Sequence, residues 1–127
     1  MTLVVESGTL SVCRLDPGAP WPSPPPGAGI YSLTRTTDEL SIVCAQGVEP
    51  AGSRIEPDWR ALRIVGPLAF ELVGVVASVA VPLADSGIGV FIVSTYDTDL
   101  ILVKGTDLDL AIRSLESAGH RVVASSS

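Results

Sequence analysis

The sequence predicts an α+β fold in which a ferredoxin-like βαββαβ unit follows a strand-rich segment, and three observations carry it. From Trp59 onward the apolar residues switch between strand-like and helix-like spacing in the order strand, helix, strand, strand, helix, strand. The first fifty residues show short apolar runs punctuated by Gly, Pro and Asp, with no helical period. With 127 residues, 46% of them apolar, the chain can bury a core but has room for little more than one ordinary domain.

The elements follow in order. Leu3–Glu6 and Leu10–Leu15 flank Ser7-Gly8-Thr9 and read as a hairpin. Asp16–Gly29 carries Pro17, Pro20, Pro22, Pro24, Pro25 and Pro26, and proline lacks the amide a ladder needs. It reads as a rigid surface loop rather than a PxxP ligand, with Trp21 as its anchor. Ile30–Arg35 and Glu39–Cys44 form a second hairpin, and Ala45–Pro57 a second loop. Trp59–Val65 is a strand ending at the breaker pair Gly66-Pro67. Along Glu71–Ala84, Leu72, Val75, Val76, Val79, Ala80 and Leu83 fall at helical spacing. Pro82 should bend or end that helix, and Gly87 can stop it with a left-handed residue. Ile88–Ser94 runs apolar, as a strand covered on both faces does, and Leu100–Val103 is its hairpin partner. Thr106 with Asp109 approximates a capping box ahead of a helix through Ala118, and Arg121–Val123 closes the unit. These patterns divide the chain into residues 1–57 and 58–124.

Composition excludes several functions. The net charge is −6, and the eight basic residues form no run, which disfavours nucleic acid. The longest uncharged apolar stretch, Leu72–Ala84, falls short of the ~20 residues a bilayer needs, and Met1–Leu10 lacks a signal-peptide pattern. A cytoplasmic protein with no membrane contact is expected. Charged residues make up only 17%, which leaves apolar surface for a partner subunit to cover. Cys13 and Cys44 lie in apolar runs without metal-ligand spacing and read as buried thiols rather than a disulfide.

The runs Ser32–Thr36, Leu40–Val43, Gly74–Ala84 and above all Val90–Asp99, with its Ser94-Thr95-Tyr96-Asp97-Thr98-Asp99 segment, add a more specific signal. They resemble ACT domain proteins of the small bacterial type related to the CASTOR-like cytosolic arginine sensors. The resemblance implies that residues 1–57 are a reduced ACT-like half and residues 58–124 a complete ACT domain. It implies a regulatory module that binds an amino acid or similar small zwitterion at an interface between domains. In the sensors the ligand's amino and carboxylate groups meet backbone at positions matching Gly74, Val75, Gly89 and Val90. An acidic residue matching Asp99 holds the cationic side chain, one near Glu71 assists, and Thr95 and Tyr96 line the same pocket. Gly89 stands where the sensors carry a contacting serine. The sensors hold four ACT units, so an equivalent pocket here calls for a homodimer or another pairing.

Elementary chemistry agrees with that implication. A carboxylate suits the unpaired amides and dipole of a helix N-terminus, and the turn from Gly66 to Gly74 leads into one. Asp97 and Asp99 could pair with an ammonium or guanidinium group, although Asp97 more simply serves its turn. Two carboxylates supply too few oxygens for a magnesium or calcium site, so no metal or cofactor is expected. Ser94 would need a neighbouring base to act as a nucleophile, and the one histidine, His120, sits at a helix end where it more simply meets carbonyls. No catalytic residue is therefore assigned. Two readings stand: an amino-acid-sensing module with a downstream protein partner, and a ligand-free structural interaction module.

Overall fold

The computed structural model describes residues 1–25, 27, 29–65 and 73–125. They form strands β1 (Thr2–Val5), β2 (Leu10–Leu15), β3 (Ser32–Arg35), β4 (Leu40–Ala45) and β5 (Arg54–Ile64), then helix α1 (Val75–Asp85). Strands β6 (Phe91–Ser94) and β7 (Asp99–Lys104), helix α2 (Leu108–Ser117) and strand β8 (Arg121–Ala124) complete the chain, with one 3-10 turn at Gly105–Asp107 leading into α2.

Two compact units result. Gly8–Trp59 is the smaller; Met1–Ser7 joins Arg60–Ser127 in the larger. This departs from a division at residues 57 and 58, and β1 is the cause. It does not form a hairpin with β2. It lies antiparallel to β5, with Leu3 opposite Ile64, and parallel to β8, with Leu3 opposite Val122. An apolar run announces a strand but not which strand it joins, because pairing is decided by residues far along the chain.

The larger unit keeps the βαββαβ order, but β1 is inserted between its first and last strands. Its strands run β8-β1-β5-β7-β6. One face carries the helices. Leu3, Leu62, Ile64, Ile101 and Val103 recur at two-residue spacing on that face. Val79, Leu83, Ala111 and Leu115 meet them from α1 and α2, all fully buried. Burial of each such leucine or isoleucine contributes about 2 kcal/mol, enough to hold two short helices that would be marginal alone.

Helix α1 runs through Pro82 to Asp85. Proline has no amide hydrogen for the carbonyl four residues back, which is that of Ser78. The structure supplies another donor: His120 Nε2 lies 2.8 Å from Ser78 O. Gly87 (φ 75) then ends the helix, and Ile88 N returns to Leu83 O at 3.0 Å.

The smaller unit is an antiparallel sheet in the order β3-β4-β2-β5. Cys13, Leu40, Ile42 and Cys44 form its core, with Leu15, Ala19, Tyr31 and Leu33 packed against them. Both thiols are free, as the sequence suggested. Strand β5 extends back through Pro57 into what the sequence presents as a loop. A register shift opposite Leu10–Val12 accommodates the proline, and Asp58 takes a positive φ of 70 there. Its amide is held by Gln46 Oε1 at 2.8 Å. The proline loop is fastened by Arg35, whose guanidinium lies 4.6 Å above the Trp21 ring and donates to Ala19 O. Ser11, fully buried, donates to Glu49 Oε2 at 2.7 Å, and Gly47 N donates to both oxygens of the same carboxylate.

Candidate functional site

The β6–β7 turn is built by its own threonines. Thr95 N donates to Thr98 O at 2.8 Å, and Thr95 Oγ1 both donates to Thr98 O and accepts from Thr98 N. Thr98 Oγ1 donates to Ile64 O at 2.6 Å, tying the turn to the end of β5. Just below it, Ser94 Oγ donates to Asp99 Oδ1 at 2.6 Å. Tyr96 stands out at the tip, 80% exposed. The hairpin thus carries a carboxylate held by a serine hydroxyl and, at its tip, an exposed aromatic ring. Asp97 is exposed at the same turn.

Gly74 caps α1 in the left-handed region at φ 81, a conformation that suits glycine. The first helical bond runs from Ser78 N to Gly74 O at 2.9 Å. Among the described residues no side-chain cap is made at this terminus, and no acidic residue sits in its first turn. The terminus keeps amide donors of the kind that bind carboxylates. Val75 is half-buried against the core.

The other expected residues divide between this end and elsewhere. Thr95, Tyr96 and Asp99 lie together on the hairpin. Gly66 and Glu71 lie outside the described residues. Gly89 and Val90 precede β6 and are not part of it, contrary to the expected strand over Ile88–Ser94. They follow the C-terminal end of α1, where Ile88 N bonds Leu83 O, whereas Gly74 and Val75 stand at its start. An eleven-residue helix spans about 16 Å, so these two pairs sit a helix length apart. Val90 is tied down by packing on the core, and Gly89 is exposed.

Sequence reasoning left Ser94 and Thr98 out of the site. Ser94 orients Asp99 and Thr98 fixes the turn, and the Ser-Thr-x-x-Thr-Asp spacing held the signal for both. The Ser94 hydroxyl bonds a carboxylate, while His120 bonds Ser78 O, so no serine–histidine pair forms between them. Among the described residues no group of three or more His, Cys, Asp or Glu could hold a metal ion. None of their helices is long and apolar enough to cross a membrane.

A two-helix layer on an open sheet in βαββαβ order places the larger unit among ferredoxin-like α+β folds. A model of the ACT domain matches residues 54–117, and the chain belongs to the ACT domain family. A second model, of a family's N-terminal domain, matches residues 8–50. The human protein CASTOR3P is 34% identical over 100 residues, spanning 68% of this chain and 61% of that protein. The cytosolic arginine sensor for mTORC1 subunit 1 of Bos taurus is 39% identical over 96 residues, 67% of this chain and 29% of the sensor. The chain therefore spans less than two thirds of either curated relative. A solved protein of Agrobacterium tumefaciens is 39% identical with a TM-score of 0.90, covering 99% of this chain and 94% of its own. The regulatory subunit of aspartate kinase from Thermus thermophilus shares the fold at 13% identity and a TM-score of 0.59, covering 87% of this chain and 93% of that one.

Proposed function

We propose that this chain is a regulatory module that binds an amino acid at an ACT domain interface, as a cytoplasmic homodimer without catalytic activity. The observation that carries the reading is the match to the arginine sensor of Bos taurus over two thirds of the chain, within the ACT domain family. Two features support it. The α1 terminus, opened by Gly74 and without a side-chain cap among the described residues, offers amides to a carboxylate. Asp99, steadied by Ser94, offers an oriented carboxylate to an ammonium or guanidinium group.

Gly66, Glu71, Thr95 and Tyr96 belong to the same proposed site. Gly89 and Val90 stand a helix length from Gly74 within one unit, so in this reading they face the ligand from a second copy. The smaller unit, whose described residues form strands alone, is taken as a reduced ACT-like half. A protein partner would receive the signal.

The competing reading is a ligand-free interaction module. It draws on the turn's self-sufficiency, since Thr95 spends its hydroxyl within its own turn. A thermal-shift screen of the twenty amino acids separates the two. A ligand that binds only the native state raises the melting temperature by mass action, equivalent to about 2.7 kcal/mol at a hundred times its dissociation constant. Asp99→Ala should abolish the shift for a cationic amino acid and spare that for an apolar one. No shift with any amino acid at millimolar concentration sinks the sensing reading.

A further inference from the structure

Residues 19–25 in the proline loop of the smaller unit carry a burial period of three. Ala19, Pro22 and Pro25 are half-buried, whereas Pro20, Trp21, Ser23 and Pro24 are exposed. Three residues per turn is the repeat of a polyproline II helix. The sequence dictates that conformation, because each residue from Ala19 to Pro25 is a proline or precedes one. Proline fixes its own φ at about −65°, and its ring drives the residue before it into the extended region.

One edge of this helix rests on the unit. Ala19 packs against the core, and Tyr31 Oη donates to Pro22 O at 3.4 Å. Arg35 donates to Ala19 O while its guanidinium lies over the Trp21 ring. The pair with PxxP spacing, Pro22 and Pro25, is on this inward edge, so that motif is not what the loop offers. The other two edges face outward, one made by Pro20 and Ser23, the other by Trp21 and Pro24. Trp21 is 57% exposed. Among the described residues the carbonyls of Pro20, Trp21, Ser23 and Pro24 accept no hydrogen bond.

We propose that these two edges form a docking ridge for another protein, one that presents a groove lined by aromatic rings with a carboxylate beside it. Rings suit the flat faces of Pro20, Pro24 and the Trp21 indole, and donors between the rings reach the open carbonyls. The carboxylate answers Arg35, which is exposed and has no ion pair among the described residues. A backbone fixed before contact loses little entropy on docking, which favours binding by so small a surface. The groove belongs to a different protein rather than to a second copy. Trp21 and Tyr96 are the exposed aromatic side chains among the described residues, one in each unit, and neither unit can line a groove with one ring.

This inference goes beyond the amino-acid reading and does not rest on it. The test titrates the full chain with purified SH3, WW and EVH1 domains by calorimetry, at concentrations on the order of 100 µM, the range of small, weak interfaces. At least one domain with a carboxylate beside its rings should bind, and alanine at its groove aromatics should abolish the binding. Trp21→Ala and Pro24→Ala, each folded by circular dichroism, should weaken it about fivefold or more. Arg35→Glu should weaken it too. A synthetic peptide of residues 19–25 should compete with the chain for the domain, which a purely structural role of the loop could not produce. Failure of every domain to bind overturns the proposal. So does binding indifferent to Trp21→Ala and Pro24→Ala, or a peptide that does not compete. An amino-acid thermal shift, present or absent, is read separately and bears on the sensing reading alone.

Discussion

Replacing His120 with alanine should cost more stability where Pro82 is present than where it is not, over and above the exposed contact of His120 Nδ1 with the Met1 amino group at 3.1 Å, and the difference can be measured. In an ordinary helix the Ser78 carbonyl would accept the amide of residue 82. Pro82 has none, and His120 Nε2–H substitutes for it at 2.8 Å. Removing the imidazole leaves that carbonyl to water, since Ser78 is exposed. A net hydrogen bond contributes about 1 kcal/mol, and exposure keeps the loss near that figure rather than at a buried group's larger one. In a Pro82→Ala background the restored amide can serve the carbonyl, so His120→Ala should then cost below about 0.5 kcal/mol. The assay is urea unfolding of the four proteins, with free energies compared at unchanged m-values. A coupling of about 0.5 kcal/mol or more between the two positions is expected. Equal costs of His120→Ala in both backgrounds would refute the substitution of one donor for the other.

Two further predictions concern the smaller unit. The Glu49 carboxyl is held below its ordinary value, chiefly by the Ser11 hydroxyl and then by backbone amides including that of Gly47. Because its folded pKa is depressed, the stability it contributes is present above the unfolded value of about 4.3 and is lost as pH falls through the folded value. Ser11→Ala should therefore cost about 1 kcal/mol near neutrality, and the gap should narrow below about pH 4; a gap constant across that range would contradict the linkage. Burial pushes the Cys44 thiol up to about 12 and raises that of Cys13 as well. Neither should react with a thiol reagent at mildly alkaline pH until the protein is unfolded in guanidinium, and labelling of native protein at the unfolded rate would show the core to be open.

How far the sequence could be read depended on how local each signal was. The order of elements after Trp59 was legible, because apolar spacing reports the period of its own segment. The β3–β4 hairpin was equally plain, with Arg35 opposite Leu40 across a short turn. The partner of β1 was not, since Leu3 meets Ile64 and Val122, residues distant along the chain. Strand β5 was read too short because Pro57 looks like an end, whereas a bulge absorbs it. Pro82 was expected to bend or end its helix and is carried within it, with its missing donor replaced from another element. The hairpin part of the candidate site was legible from threonine and aspartate chemistry that acts within a few residues. The separation of Gly89 and Val90 from Gly74 and Val75 was not, since it follows from the length and direction of α1.

The place of β1 also constrains how the chain is made. A ribosome releases Thr2–Val5 well before Arg121–Ala124, one of the two strands that flank it. Until then the larger unit holds a strand with one open edge, able to pair with whatever backbone is near. The smaller unit, closed within Gly8–Trp59, has no such wait. Synthesis thus completes the strand pairings of the smaller unit early and those of the larger unit only when β8 arrives. Any arrest late in translation would leave that exposed edge as the site of mispairing.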